Sequence, residues 1–219
     1  MPEWNDLPLI ASRLRRFRGR RMRAFADSLR ITAETRVLDV GGTPSIWRLL
    51  PVIPKITFLN MPQGVGDCAG FDLVFASGCE MPFADQSFDV IFSNSVIEHV
   101  GDRLEQKRFA SEIRRVGRRY WVQTPNRGFP IEPHLLTPFI HWLPLSWQRS
   151  IAPRFNFWRW IERPAQDRRE YYVEHYLRDI RLLDDRELTA LFPDAEITRE
   201  RWLGLTKSLV AMKSGERVR

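Results

Sequence analysis

Asp39, Gly41 and Gly42 lie in the stretch VLDVGGTP, where an acidic residue closes an apolar run just ahead of two glycines. In open α/β sheets a ligand sits beyond the carboxyl ends of the strands, and glycines there let it approach the backbone. Asn60 ends the next apolar run 21 positions after Asp39, where a doubly wound nucleotide site places the group that hydrogen-bonds ribose hydroxyls. Adenosine recognition is the expectation, although an Asp-x-Gly-Gly turn taken alone fits a plain structural turn equally well. His99, in the segment IEHV, is the candidate catalytic residue, because an imidazole takes a proton from an oxygen or nitrogen acceptor near neutral pH. The competing role of that Glu-His pair is helix start and loop packing. His134 and His141 lie further along and are candidates for the same cleft, against the commoner fate of an exposed or core-satisfied histidine. Cys68 and Cys79 show no CxxC or Cys/His spacing, so reduced thiols and no metal site are expected.

The elements that must position these groups follow from the apolar pattern. RVLDV, KITFLN, FDLVFAS, FDVIFSNS and RRYWVQTP are five runs that are nearly continuously apolar. Strands of that kind belong to a parallel sheet with both faces covered by helices. SIWRLL reads as a helix after the glycine turn. Residues 102–116, with Leu104, Phe109, Ile113 and Val116 along one face, supply the crossover between the fourth and fifth strands. The connection MPQGVGDCAG is too short and too rich in glycine for a full helix. DDRELTALF opens with acids suited to a helix N-terminus, and AEITRERWLGL with KSLVAMK reads as two closing strands joined by a tight hairpin at Gly204.

A chain of 219 residues is long enough for one good-sized domain and short for two. One domain over 1–219 is expected, with a basic helical segment at 1–30 and an insertion at 126–181. No apolar run approaches the roughly 20 residues needed to cross a bilayer, and a cytoplasmic protein, peripheral at a membrane if attached at all, is expected.

Three blocks carry a resemblance: VLDVGG, the tract GCEMPFADQSFDVIFSNSVIEHV, and YWVQTPN. Across them the chain resembles the class I S-adenosylmethionine-dependent methyltransferases of the broad small-molecule type. The middle block, an acidic-apolar-Pro-Phe segment followed by a polar turn, Phe-Asp and a Glu-His pair, is the most specific. The resemblance implies a Rossmann-like α/β/α fold with a doubly wound, seven-stranded sheet, its last strand antiparallel, and a lid inserted after the fifth strand. It implies S-adenosylmethionine as cofactor, with Asp39, Gly41 and Gly42 along its methionine and ribose portion and Asn60 at the ribose hydroxyls. Met61 would pack on the adenine, the loop of Ser77, Gly78 and Cys79 would hold the adenine edge, and Asn94 and Ser95 would end near the sulfonium. Three departures from the family pattern stand out: Thr43-Pro44 where a further small residue is usual, Asn60 in place of a carboxylate, and Ser77 in place of an aspartate.

The net charge of +7 is uneven, with seven arginines between Arg13 and Arg23. Apolar residues at Leu9, Ile10, Leu14, Phe17, Met22 and Phe25 recur at helical spacing, giving a basic amphipathic helix suited to an anionic membrane or to a solvated edge of the domain. The insertion interleaves Trp142, Trp147, Trp158 and Trp160 with Arg149, Arg154 and Arg159. Amphipathic aromatics beside cations suit a bilayer surface or a lipid-linked acceptor, and long inserted segments commonly act as lids. The expected function is methyl transfer to oxygen, nitrogen or carbon of a small or lipid-linked acceptor. The alternative is a degenerate domain acting as a non-catalytic binding or scaffold module. A dehydrogenase is disfavoured by the lack of a full GxGxxG, and nucleic acid ranks behind the other partners.

Overall fold

In the computed structural model, which describes residues 8–62, 68, 70–155 and 166–215, the five apolar runs become strands β1 (Arg36–Val40), β2 (Lys55–Asn60), β3 (Asp72–Phe75), β4 (Phe88–Asn94) and β5 (Gly117–Pro125). Beyond the insertion come β8 (Glu196–Trp202) and β9 (Leu205–Lys213), and the sheet order is β3-β2-β1-β4-β5-β9-β8. All neighbours from β3 to β5 are parallel, and β9 runs antiparallel to both β5 and β8. The order reverses between β1 and β4, so their carboxyl ends flank the crevice that such a sheet offers to ligands.

Helix α1 (Pro8–Ser28) covers one face of the sheet. Its Met22 and Phe25, with Leu29 just beyond, are fully buried against Val37, Phe58, Val90, Phe92 and Trp121. Each such burial contributes about 1.5–3 kcal/mol. The basic segment is thus a layer of the fold, and not merely a solvated helix along one edge. Arg15, Arg16, Arg18, Arg20 and Arg23 face solvent. Arg21 is buried and holds Glu200 of β8 through paired bonds of 2.7 and 2.5 Å.

The other face is covered by α3 (Arg103–Val116) and α6 (Asp185–Leu191), whose Phe109, Ile113, Val116 and Leu188 pack on Leu38, Ile91, Tyr120 and Val122. Asp102 caps α3 by accepting from the N–H groups of Leu104 and Glu105, and Asp184 with Glu187 forms a capping box on α6. The helix expected over SIWRLL shrinks to α2 (Pro44–Trp47), for Pro51 and Pro54 leave little room before β2. Most of the β2 to β3 connection, 63–67 and 69, lies outside the described residues.

The insertion leaves and returns at one place, since Asn126 pairs with Leu183 and the Arg127 N–H donates to the Leu183 carbonyl. Between these ends stand a small hairpin, β6 (Ile131–Glu132) with β7 (Thr137–Pro138), then α4 (Leu145–Ile151) and α5 (Gln166–Asp179). Leu135, Ile140, Ala152, Val173 and Tyr176 give it a small core of its own. Trp158, Arg159 and Trp160 lie outside the described residues.

Candidate functional site

Asp39 ends β1 fully buried, with one carboxylate oxygen accepting from the Trp47 indole N–H at 2.7 Å. The other oxygen, Oδ1, is buried with no partner among the described residues. Burial pushes the carboxyl up to about 7, against the opposing pull of the Trp47 bond. Gly41 takes φ +77°, a conformation that glycine adopts without strain, and a Cβ there would meet Val96 at 2.6 Å. A Cβ on Gly42 would lie 2.0 Å from the Asp39 carboxylate. Both positions therefore require glycine, and the turn presents bare backbone beside a half-satisfied acceptor. This is a cradle that fits the polar end of a nucleoside-type cofactor.

Asn60 ends β2 and is buried, and its amide donates to the Gly42 carbonyl at 3.0 Å. A carboxylate lacks that donor, so asparagine here braces the glycine turn from the next strand. Met61 follows, 53% exposed, and Phe75, the register partner of Asn60 at the end of β3, is 56% exposed. Two large apolar side chains thus stand in solvent at the carboxyl edge, of which sequence reasoning found only Met61.

The loop after β3 is tied inward. Ser77 Oγ accepts from the Cys79 N–H at 3.1 Å, and the Cys79 thiol donates to the Glu105 carbonyl of α3 at 3.4 Å. Burial first, then that bond, pushes the Cys79 thiol up to about 11, where it is an inert neutral group. Gly78 backs onto Phe109, where a Cβ would come within 2.7 Å.

At the end of β4, Asn94 Oδ1 accepts from the buried Arg21 at 2.6 Å. Ser95, at φ +58°, donates through its hydroxyl to Gln123 Oε1 at 2.9 Å. Gln123 also accepts from Arg21. Both expected residues are thus tied into a polar network under α1, which sequence reasoning missed because Arg21 looks like its six arginine neighbours.

A short turn, Ile97–His99, follows. Here the insertion comes down on the sheet: His134 Nε2 lies 3.2 Å from His99 Nε2, and the Arg181 N–H donates to the Glu98 carbonyl at 2.8 Å. The Glu132 carboxylate takes His134 Nδ1 at 2.6 Å as well as the N–H groups of His134 and Leu135. The His175 ring stacks on His99 with centroids 6.2 Å apart. Glu98 is fully buried; Oε2 accepts from the Thr124 hydroxyl at 3.0 Å, and Oε1 has no partner among the described residues. Burial raises Glu98 to about 7, with His134 and Thr124 opposing. Burial, with the nearby His134 and His175, drives His99 down to about 3, so it is a neutral and weakly basic imidazole. Burial also works against protonation of His134, but the Glu132 bond and the charges of Glu132 and Glu98 outweigh it and raise that ring. His141 stays apart, its Nε2 on the Arg127 carbonyl. Glu98 entered the sequence reading only as the first half of the Glu-His pair, and Glu132, two residues before His134, carried no signal in the sequence.

A cavity of about 480 Å³ lies elsewhere, between α4 and α5, lined by Arg149, Pro153, Val173 and Leu177 among others. It shares no residue with the glycine turn or the histidine cluster.

Residues 58–119 match the family model described as a methyltransferase domain. A protein of Encephalitozoon cuniculi that carries a methyltransferase name is 34% identical over 95 residues, covering 43% of this chain. The chain spans 45% of that relative's length. Among solved structures, one chain of the complex between the Haloferax volcanii Trm112 methyltransferase activator and a methyltransferase candidate superposes with a TM-score of 0.54 at 14% identity, covering 92% of this chain and 95% of that one. A Rhodobacter sphaeroides structure titled as a zinc-dependent alcohol dehydrogenase gives 0.56 at 12% identity, covering 83% and 84%. At such identities the likeness is one of fold alone.

Proposed function

We propose that this chain is a class I S-adenosylmethionine-dependent methyltransferase, the reading supported by the methyltransferase-domain match over residues 58–119 and by the sheet order, and that it moves a methyl group from S-adenosylmethionine to an amphiphilic, lipid-linked acceptor at an anionic membrane surface. The observation that carries the cofactor reading is the half-used Asp39 carboxylate set against the Gly41–Gly42 backbone at the carboxyl end of β1. The chemistry the cofactor supplies is an electrophilic methyl on a sulfonium. Asp39 Oδ1 and the backbone of Gly41 and Gly42 hold its polar end. Asn60 keeps that turn in place and offers its amide oxygen to a ribose hydroxyl. Met61 and Phe75 clamp the adenine, with the loop of Ser77, Gly78 and Cys79 as its edge, and Ser95 and Asn94 close the sulfonium side. His99, the candidate catalytic residue, orients the acceptor at the end of β4, and much of the rate comes from positioning.

For the acceptor, the support is a rim of exposed apolar side chains beside cations. Trp202, Leu203 and Leu205 at the β8–β9 tip are 48%, 81% and 51% exposed. Trp202 packs on Phe129, and Trp142 donates to Arg127 two residues away. On the other side Lys207 of β9 sits over the Phe17 ring of α1, whose outward arginines continue the rim. Tryptophan favours the bilayer boundary and arginine favours phosphate.

The first test is isothermal titration with S-adenosylmethionine and S-adenosylhomocysteine on the native chain, Asp39→Ala and Asn60→Ala. Micromolar binding weakened by either substitution is expected; no heat from well-folded protein would put the scaffold reading first. Co-sedimentation with phosphatidylglycerol vesicles, lost in Trp202→Ser/Leu203→Ser and absent with phosphatidylcholine, tests the membrane part. Equal behaviour with both lipids would sink it.

A further inference from the structure

Three electron-pair donors converge where the insertion meets the end of β4. His99 Nε2, His134 Nε2 and a carboxylate oxygen of Glu98 all lie within 4.8 Å of one another. The two nitrogens are 3.2 Å apart, and two imidazoles bound to one tetrahedral ion at about 2.0–2.1 Å would stand about 3.3 Å apart. A proton between the rings would answer both nitrogens but leave the buried Glu98 Oε1 unmatched, and a buried acceptor without a donor is costly. One divalent cation answers all three. The far side of His134 is already arranged for it, because Glu132 holds Nδ1 at 2.6 Å and is itself fixed by two backbone N–H groups. That carboxylate fixes the tautomer with the lone pair on Nε2, the support that metal-bound histidines regularly have. Thr124 fixes the other oxygen of Glu98 in the same way.

We propose that Glu98, His99 and His134 form a binding site for a divalent first-row transition metal. Two histidines and a carboxylate suit zinc or ferrous iron and leave coordination positions open. The turn carrying Glu98 and His99 follows directly on Val96, which lies against Gly41, so the three ligands stand near the cofactor cradle, and an open position on the ion would suit an oxygen of the acceptor. That use of the open position rests on the methyl-transfer reading; the ion itself does not. Sequence spacing hid the site because His134 is 35 residues from His99 and in a segment without regular period.

The test is titration of metal-stripped full-length protein with Co2+, followed by its visible ligand-field bands, and by Zn2+ in competition. One equivalent is expected, with bands abolished in His134→Ala and Glu98→Gln. Glu132→Gln, which alters no ligand, is expected to weaken affinity roughly 10–100-fold. S-adenosylmethionine binding is read in parallel and stays near native in Glu132→Gln, so failure of the metal site and failure of the cofactor reading are separate results. Absence of bands in native protein of intact fold overturns the proposal, and so does binding that survives both ligand substitutions.

Discussion

Asp39 is the residue on which both folding and the cradle depend. Its carboxyl, raised by burial to about 7, binds its proton more tightly in the folded chain than in the unfolded one, where aspartate titrates near 3.9. Between those values the native state carries more protons, so stability is fully present below about pH 4 and declines as pH rises through 7. Urea midpoints measured from pH 4 to 8 are expected to show that decline, and Asp39→Asn to flatten it. Gly42→Ala places a Cβ within 2.0 Å of the Asp39 carboxylate; the turn must shift, and cofactor affinity read by calorimetry is expected to fall at least tenfold. Arg21 is of another kind. Removing it takes the cation from Glu200 and the donor from Asn94 Oδ1, leaving Glu200 with Ser208 and Gln123 with Ser95, and Arg21→Ala is expected to cost about 3–5 kcal/mol in a denaturation experiment, as for other broken buried pairs. An exposed neighbour, Arg20→Ala, is expected to stay within about 0.5 kcal/mol.

At the scale of elements, the β8–β9 hairpin turns through Leu203 at φ +49° and Gly204 at φ +82°. Two left-handed residues make the turn that matches strand twist, and its first position favours asparagine over leucine. Leu203→Asn is therefore expected to raise stability by roughly 0.5–1 kcal/mol while weakening vesicle binding, two readouts moving in opposite directions. Strands and turns like these were legible in the sequence because their signals are local: an unbroken apolar run, a glycine at a tip, an Asp184 three residues before Glu187. Asp39, Gly41, Gly42 and Asn60 were legible for the same reason. The meeting of His99 with His134, and of Arg21 with Glu200, was not, since each depends on where distant elements dock and neither changes the local pattern. Asn60 shows the limit in reverse: its amide donates to the Gly42 carbonyl, a bond that a carboxylate cannot make and that the sequence pattern did not reveal.

For the whole molecule, closure of the insertion at Asn126 and Leu183 means that its ends can be rejoined without moving β5 or α6. Replacing 128–181 by a short glycine-rich linker is expected to leave S-adenosylmethionine binding within about tenfold and to abolish turnover; equal loss of both would make the segment part of the core. The same topology bears on how the chain is made. β4, one neighbour of β5, precedes it in the chain, but its other neighbour, β9, begins 80 residues after β5 ends. At ribosomal speeds of about 5–20 residues per second, that edge stays open for roughly 4–16 s. Exposed hydrogen-bonding groups flanked by apolar Tyr120, Trp121 and Val122 invite pairing with another nascent chain. During that interval the insertion, with its own small core, is the segment that emerges between the two strands, so the order of synthesis puts it ahead of the strand that closes the edge.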